Sequence, residues 1–407
     1  LLGSRMIRPE RTKKDHSNDM HKTPNAIGRA AADFFLNRRN IFILGFILTF
    51  VLTLLEVSRG KQFNFFTFQL STFDFWQGAD PYGVEKYDFL YGPLFSMLFT
   101  PFAYLGAKIG PFVWNLMNFT LFFCAIFAMP HLTEAQKCKT YLFTALILAT
   151  TQMSMQFNPV VAYLFLFAFV LLERGKPVWA ILLILISGLT KIYGIFELGL
   201  LLCYPKFWRN LLVTVAMAAG LLLLPAVSLG FDGLVPHYLR WAEVLSLHVD
   251  QFQFYSLFNL YPLHDLLTPV MTYVQMGSIA ALCLLFVANY RKFGRYDFRV
   301  GSLAVLMGWV ILFSLSTEKH TYVIALTGYL MWYWAQANRG WLDKTLLWAN
   351  FVLLVVVPVD LICPPPIMRF LCDTVQLNIY CFALTWFRMI YVTFLRPADR
   401  GPVPQTA

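Results

Sequence analysis

Apolar and polar residues along this chain fall in long blocks. Apolar segments recur at about 41–57, 111–130, 139–155, 158–173, 177–190, 192–204, 209–229, 267–289, 299–316, 320–337, 343–362 and 377–396. A straight helix that crosses a bilayer needs roughly 20 such residues. Several of these blocks are shorter, so bent or broken helices are expected among the spans. A further apolar stretch, Gly92 to Leu105, begins with Pro93 and contains Pro101. The pattern predicts an all-α integral membrane protein, a polytopic bundle of about 10–12 transmembrane helices with a juxtamembrane helix over 92–106.

Composition agrees with the blocks. Of 407 residues, 58% are hydrophobic and 13% charged, whereas soluble chains average about 45–50% and about 25%. A water-soluble core would not need so much apolar surface. The formal net charge of +10, from 32 Lys and Arg against 22 Asp and Glu, would point to nucleic acid in a soluble domain. In a membrane protein the same excess marks cytoplasmic loops, and no nucleic-acid partner is expected.

The position of each charge therefore carries more information than the sum. Residues 1–40 form a basic arm with nine Lys and Arg against four acids, expected to be a cytoplasmic, topology-setting tail. Further basic clusters lie at Lys137-Cys138-Lys139, Arg174-Gly175-Lys176, Lys206 to Arg209, Arg291 to Arg295, Arg339 with Lys344, and Arg396 to Arg400. All can lie inside if a single crossing separates the loop 58–90 from Lys137, with 92–106 juxtamembrane or re-entrant and 111–130 the crossing. Twelve crossings then return both termini to the cytoplasm. Residues 41–396 are read as a single transmembrane domain, and 397–407 as a cytoplasmic tail. The loops 58–110, 152–158, 191–194, 230–266, 316–320 and 363–376 face outward. Nearly all the chemically interesting residues land on that face.

Four stretches there could carry chemistry. The first outer loop presents Asp74, Asp80, Glu85 and Asp88 interleaved with Tyr82, Tyr87 and Tyr91. Carboxylates accept hydroxyl protons and aromatic faces stack on sugar rings, so the loop suits a sugar or a cation; it reads equally well as a solvated loop. Gln156 and Asn158 border the next outer turn, as ligand-binding amides or as helix caps. Lys191 interrupts two apolar helices, a costly place for a cation unless it snorkels or meets an anion such as phosphate. His320, in the turn Ser314 to His320 with Glu318, is either a proton carrier or an exposed loop histidine. His237, Arg240, Trp241, His248 and Asp250 belong to an amphipathic stretch that reads as an interfacial helix.

Cysteine usage adds little. Cys124, Cys203, Cys283 and Cys381 sit in apolar helices as expected core residues, and an oxidising compartment would permit a disulfide between Cys363 and Cys372. No cysteine or histidine spacing indicates a metal site, and no phosphate-binding loop or dinucleotide fingerprint is present. No cofactor is expected.

In order, Gly78-Ala79-Asp80-Pro81-Tyr82, Phe89-Leu90-Tyr91-Gly92-Pro93, Gln156-Phe157-Asn158, Lys191 and the Glu318/His320 turn resemble glycosyltransferase family 87 of the GT-C superfamily. That family includes polyprenol-phosphate-mannose-dependent mannosyltransferases, and the resemblance covers roughly residues 40–340. It implies a GT-C-type bundle in the plasma membrane. The enzyme would take a hexose, such as mannose, from a polyprenyl-phosphate donor on the non-cytoplasmic face. It would pass the sugar with inversion to a glycan or glycolipid acceptor of the cell envelope. The resemblance assigns Asp80, Asp88, Asp74 and His320 to catalysis. It assigns Lys191, Gln156, Asn158, Tyr82, Tyr91, Glu318 and Asn64 to substrate or donor phosphate. One departure stands out: about sixteen residues before Asp80, where the family usually has Asp-Phe, this chain has Asn64-Phe65. An amide cannot act as a general base, so either Asp74, Asp80 or Asp88 takes that role, with Asp80 and Asp88 favoured, or the acceptor is oriented differently, or the protein is inactive. A lipid or solute transporter and a non-catalytic subunit of an envelope complex are the competing readings.

Overall fold

In the computed structural model of the chain, residues 26–82, 89–247, 255–315, 317–360 and 362–396 are described. Among them there are helices and connecting turns and no strand. The helices are α1 Ala26–Phe35, α2 Arg38–Ser58, α3 Phe63–Trp76, α4 Pro93–Tyr104, α5 Gly106–Ala128, α6 Glu134–Met153, α7 Asn158–Glu173 and α8 Pro177–Thr190. After a 3-10 segment, Ile192–Cys203, follow α9 Phe207–Leu223, α10 Ala226–Leu247, α11 His264–Leu267, α12 Met271–Ala288, α13 Tyr296–Leu312 and α14 Tyr322–Ala335. The last are α15 Trp341–Asn350, α16 Pro365–Met368 and α17 Leu377–Ile390.

Local chemistry sets many of these boundaries. Asn37 caps α2 through its side-chain oxygen, which accepts from Arg39 N and Asn40 N. Thr133 and Gln136 form a reciprocal capping box on α6. Proline in the first turn opens α4, α7 and α8, where its fixed φ suits the helix and its missing N–H costs nothing.

Burial divides the helices into layers. Every residue of α13 from Val300 to Leu312 is buried, as is α14 from Tyr322 to Tyr333. With α7 and α8 they form the centre of the bundle. The periphery is apolar and uncovered: Ile43, Leu44, Ile47, Val51 and Leu54 of α2 are exposed, as are Met276, Leu284 and Val287 of α12. An apolar belt of this extent is stable only against lipid. Four described helical stretches are long and apolar enough to cross a membrane: Arg38–Ser58, Gly106–Ala128, His264–Ala288 and Leu377–Leu395. The pair α9 and α10, bent by 97°, raises the number to five. The remaining apolar helices are shorter, as the block lengths implied, and α8 breaks at Lys191 before the 3-10 segment.

Three details differ from the sequence reading. The first loop is not irregular throughout but contains α3, a phenylalanine-rich helix that packs on α4. Cys363 and Cys372 are both free thiols, and Cys283 faces outward on α12 rather than into the core. Residues 1–25 of the basic arm and 397–407 of the tail lie outside the described residues.

Candidate active site

The site is built around the reversal from α6 to α7. Gln156 N donates to Thr151 O at 3.1 Å and Met155 N to Gln152 O at 2.9 Å, which closes α6. Met155, between them, is buried with φ +50°. Holding a non-glycine residue in the left-handed region costs on the order of 1 kcal/mol. That strain is located where the chain must turn so that Gln156 and Asn158 point to the same end of the bundle.

Asn158 is fully buried at the start of α7. Its Oδ1 accepts from Lys191 Nζ at 2.8 Å and from Tyr193 OH at 3.2 Å. Its Nδ2 donates to Gln156 Oε1 at 3.3 Å and Thr321 Oγ1 at 3.5 Å. One amide has two acceptor and two donor positions, and all four are used. Gln156 Nε2 extends the network by donating to Glu318 Oε2 at 3.0 Å. His320 Nε2 lies 3.4 Å from Ser154 Oγ.

Lys191 reaches this network because α8 ends sharply. Its backbone is extended (φ −136°, ψ 102°), and the 3-10 segment folds back so closely that a Cβ on Gly194 would lie 2.3 Å from Ser187 Oγ. Gly92 N donates to Thr190 O at 3.1 Å, and a Cβ there would meet Leu189 O at 2.2 Å. Only glycine permits that approach. It brings the Tyr91 ring centroid to 5.5 Å from Lys191 Nζ, with the Tyr193 ring at 5.1 Å, within cation–π range. Burial lowers the Lys191 ammonium to about 8, and the Glu318 carboxylate opposes part of that shift. Burial likewise holds His320 below its ordinary 6.5; Glu318 opposes the effect and Lys319 adds to it.

Five of the sequence-derived residues, Gln156, Asn158, Lys191, Glu318 and Tyr91, thus meet in one network of contacts, with His320 and Asn64 tied to its edge through Ser154. The spacing of apolar blocks gave no hint of Ser154, Tyr193 or Thr321. Tyr193 follows Lys191 by two residues, and Ser154 precedes Gln156 by two; each lies beside a residue already conspicuous for its polarity.

The residues of the first loop have other surroundings. Asn64 Nδ2 donates to Ser154 O at 2.6 Å, a bond that an ionised aspartate in its place could not make. Asp74 is half-buried in the last turn of α3. Asp80 Oδ1 accepts from Tyr82 N at 2.9 Å, and its Oδ2 pairs with Arg240 Nε at 3.1 Å. Tyr82 OH donates to Tyr91 O at 2.9 Å. Across from them α10 holds the loop: Trp241 Nε1 donates to Leu90 O at 3.1 Å, and His237 Nε2 lies 3.4 Å from Ala79 O. Glu85, Tyr87, Asp88, His248, Asp250 and Ser316 lie outside the described residues. Among the described residues no group of His, Cys, Asp and Glu side chains is arranged to hold a metal ion.

A lipid-facing helical bundle thus carries a polar cluster with a partly buried cation at the mouth of its central helices. The sequence profile of glycosyltransferase family 87 matches residues 89–315. That is more than half of the chain, and the chain belongs to this family. It is a membrane glycosyltransferase. The matched stretch contains Tyr91, Gln156, Asn158 and Lys191 and ends just before Glu318 and His320. No curated protein and no solved structure matches the chain.

Proposed function

We propose that the enzyme transfers a hexose from a polyprenyl-phosphate donor to an acceptor hydroxyl on the non-cytoplasmic face, with inversion at the anomeric carbon. The observation that carries this reading is Lys191, a cation held at the end of an apolar helix by a neutral amide and two aromatic rings. A cation so placed gains most from an anion delivered out of the membrane, and a lipid-linked phosphate is such an anion.

In this reading Lys191 and the Tyr193 hydroxyl face the donor phosphate, and Asn158 fixes both. The acceptor oxygen attacks the anomeric carbon, the bond from that carbon to the phosphate oxygen breaks, and polyprenyl phosphate leaves with the electron pair. Lys191 offsets the charge that grows on the departing oxygen, an interaction stronger in the transition state than in the ground state. The acceptor proton passes to His320, whose burial favours the neutral imidazole. Glu318, two positions before it on the same turn, stabilises the imidazolium that forms. Asp80 serves a positioning role in this scheme, latching the first loop to α10 through Arg240. Asn64 holds the end of α6 in place.

The test is sugar transfer by the purified enzyme in lipid nanodiscs, offered polyprenyl-phosphate hexoses with a short glycolipid acceptor. Transfer from such a donor, with inverted product and at least a hundredfold loss in His320→Ala, is expected. Full activity in His320→Ala, or stoichiometric binding of the lipid-linked sugar with no turnover, would overturn the reading.

A further inference from the structure

A cavity of about 710 Å³ lies at the opposite end of the bundle, where α1 meets α2. Its rim carries Arg38, Arg39 and Glu134, and its walls include Leu36, Phe42 and Phe123. Glu134 opens α6, whose 20 residues end beside Ser154; at 1.5 Å per residue the two ends are about 30 Å apart. The cavity is therefore not part of the site that contains Lys191.

Its construction is fixed rather than incidental. Cys138 Sγ donates to Leu36 O at 3.3 Å, which ties the first turns of α6 to the link between α1 and α2. The Arg38 guanidinium lies 4.9 Å from the Phe127 ring centroid. Asn37 occupies the backbone N–H groups of Arg39 and Asn40, so the two guanidinium groups, not the helix terminus, supply the positive charge. Neither arginine makes an ion pair among the described residues, and both are exposed. Ile43 and Leu44, which follow the lining residue Phe42 along α2, are exposed. Phe34 and Phe35, which precede the lining residue Leu36 at the end of α1, are exposed as well.

We propose that this cavity is a binding site for a zwitterionic phospholipid of the phosphoethanolamine class. Two arginines match one phosphodiester, which guanidinium groups bind through paired hydrogen bonds. Glu134, on the same rim, matches a primary ammonium that can donate hydrogen bonds to it. An acyl chain then follows the aromatic wall of Phe42 and Phe123 onto the flank of α2. The volume falls in the range of about 300–1,000 Å³ typical of small-molecule sites. A purely anionic headgroup would satisfy the arginines but leave Glu134 facing phosphate.

The experiment is native mass spectrometry of the full chain released from nanodiscs that contain equal phosphatidylethanolamine, phosphatidylglycerol and phosphatidylcholine. The wild type is expected to retain one phosphatidylethanolamine in preference to the others. The double variant Arg38→Gln, Arg39→Gln should lose retention by at least about tenfold, with its melting temperature unchanged because both side chains are exposed. Glu134→Gln should keep a bound lipid but lose the preference for phosphatidylethanolamine over phosphatidylglycerol. Preferential retention of phosphatidylglycerol by the wild type, or a lipid count indifferent to both sets of substitutions, would overturn the proposal.

Discussion

The two ends of this bundle both carry partly buried cations, but they treat them differently. At the end where α7 stops and α13 begins, Arg299 donates to both oxygens of Glu173 at 2.6 and 2.8 Å, and Tyr204 OH adds a third bond at 2.5 Å. Nearby, Arg388 makes a similar fork with Asp343 at 2.9 and 3.2 Å. At the other end Lys191 has an amide oxygen and two aromatic faces, and among the described residues it makes no ion pair. A guanidinium with a carboxylate fork is a closed clamp that joins helices. An ammonium hydrogen-bonded to a neutral amide is held in position without a direct ion pair, and under the proposed function it is the one that meets an anionic ligand.

The contrast can be broken by substitutions that should act on opposite properties. Lys191→Met is expected to lower sugar transfer about 100–1,000-fold, the usual effect of removing one preorganised donor from a developing negative charge. The protein should still fold, since Asn158 keeps its other three hydrogen bonds; a steady-state assay beside a melting curve separates the two effects. Arg299→Ala should do the reverse. Its side chain is 16% exposed and that of Glu173 9%, and leaving the carboxylate uncompensated costs about 3 kcal/mol. A fall in melting temperature should appear with little change in kcat for the folded fraction.

The pH dependence of transfer separates the two cations further. The Lys191 cation is present below its value of about 8 and is lost as pH rises through it. His320 is neutral above a value lower than 6.5 and is protonated as pH falls through it. The profile of kcat/KM should therefore rise through the weakly acidic range and fall near pH 8, and in Lys191→Met the alkaline limb should disappear. The smallest effect belongs to Asp80. It is half-exposed and its ion pair is open to solvent, so Asp80→Asn should cost less than about 1 kcal/mol in stability and leave most of the transfer activity. A loss as large as that of Lys191→Met would instead place Asp80 in the chemistry.

Much of this architecture was legible from the chain because lipid imposes a coarse rule. Apolar blocks became helices, and the short blocks became short or broken helices, as at Lys191. The residues that interrupt the rule, Gln156, Asn158, Lys191 and the turn from Glu318 to His320, stood out for that reason alone. What stayed hidden depends on contacts between distant segments. Asn64 stands out in sequence only as an amide at the family's aspartate position, and its bond to Ser154 O, 90 positions away, is not visible there. The ion pair of Asp80 with Arg240, 160 positions on, is equally invisible along the chain. The helix α3 was concealed by its own composition, since its phenylalanines are spread around the helix with polar residues between them and give no clear apolar stripe.

In the proposed function Lys191 receives the phosphate of a lipid-linked donor. The most direct measurement is binding of polyprenyl phosphate and of uncharged polyprenol to the wild-type enzyme and to Lys191→Met in nanodiscs of one lipid composition. The wild type should prefer the phosphate at least about tenfold, and Lys191→Met should bind both lipids alike with an unchanged melting temperature. Equal binding of the two lipids by the wild type, or an undiminished phosphate preference in Lys191→Met, would contradict it.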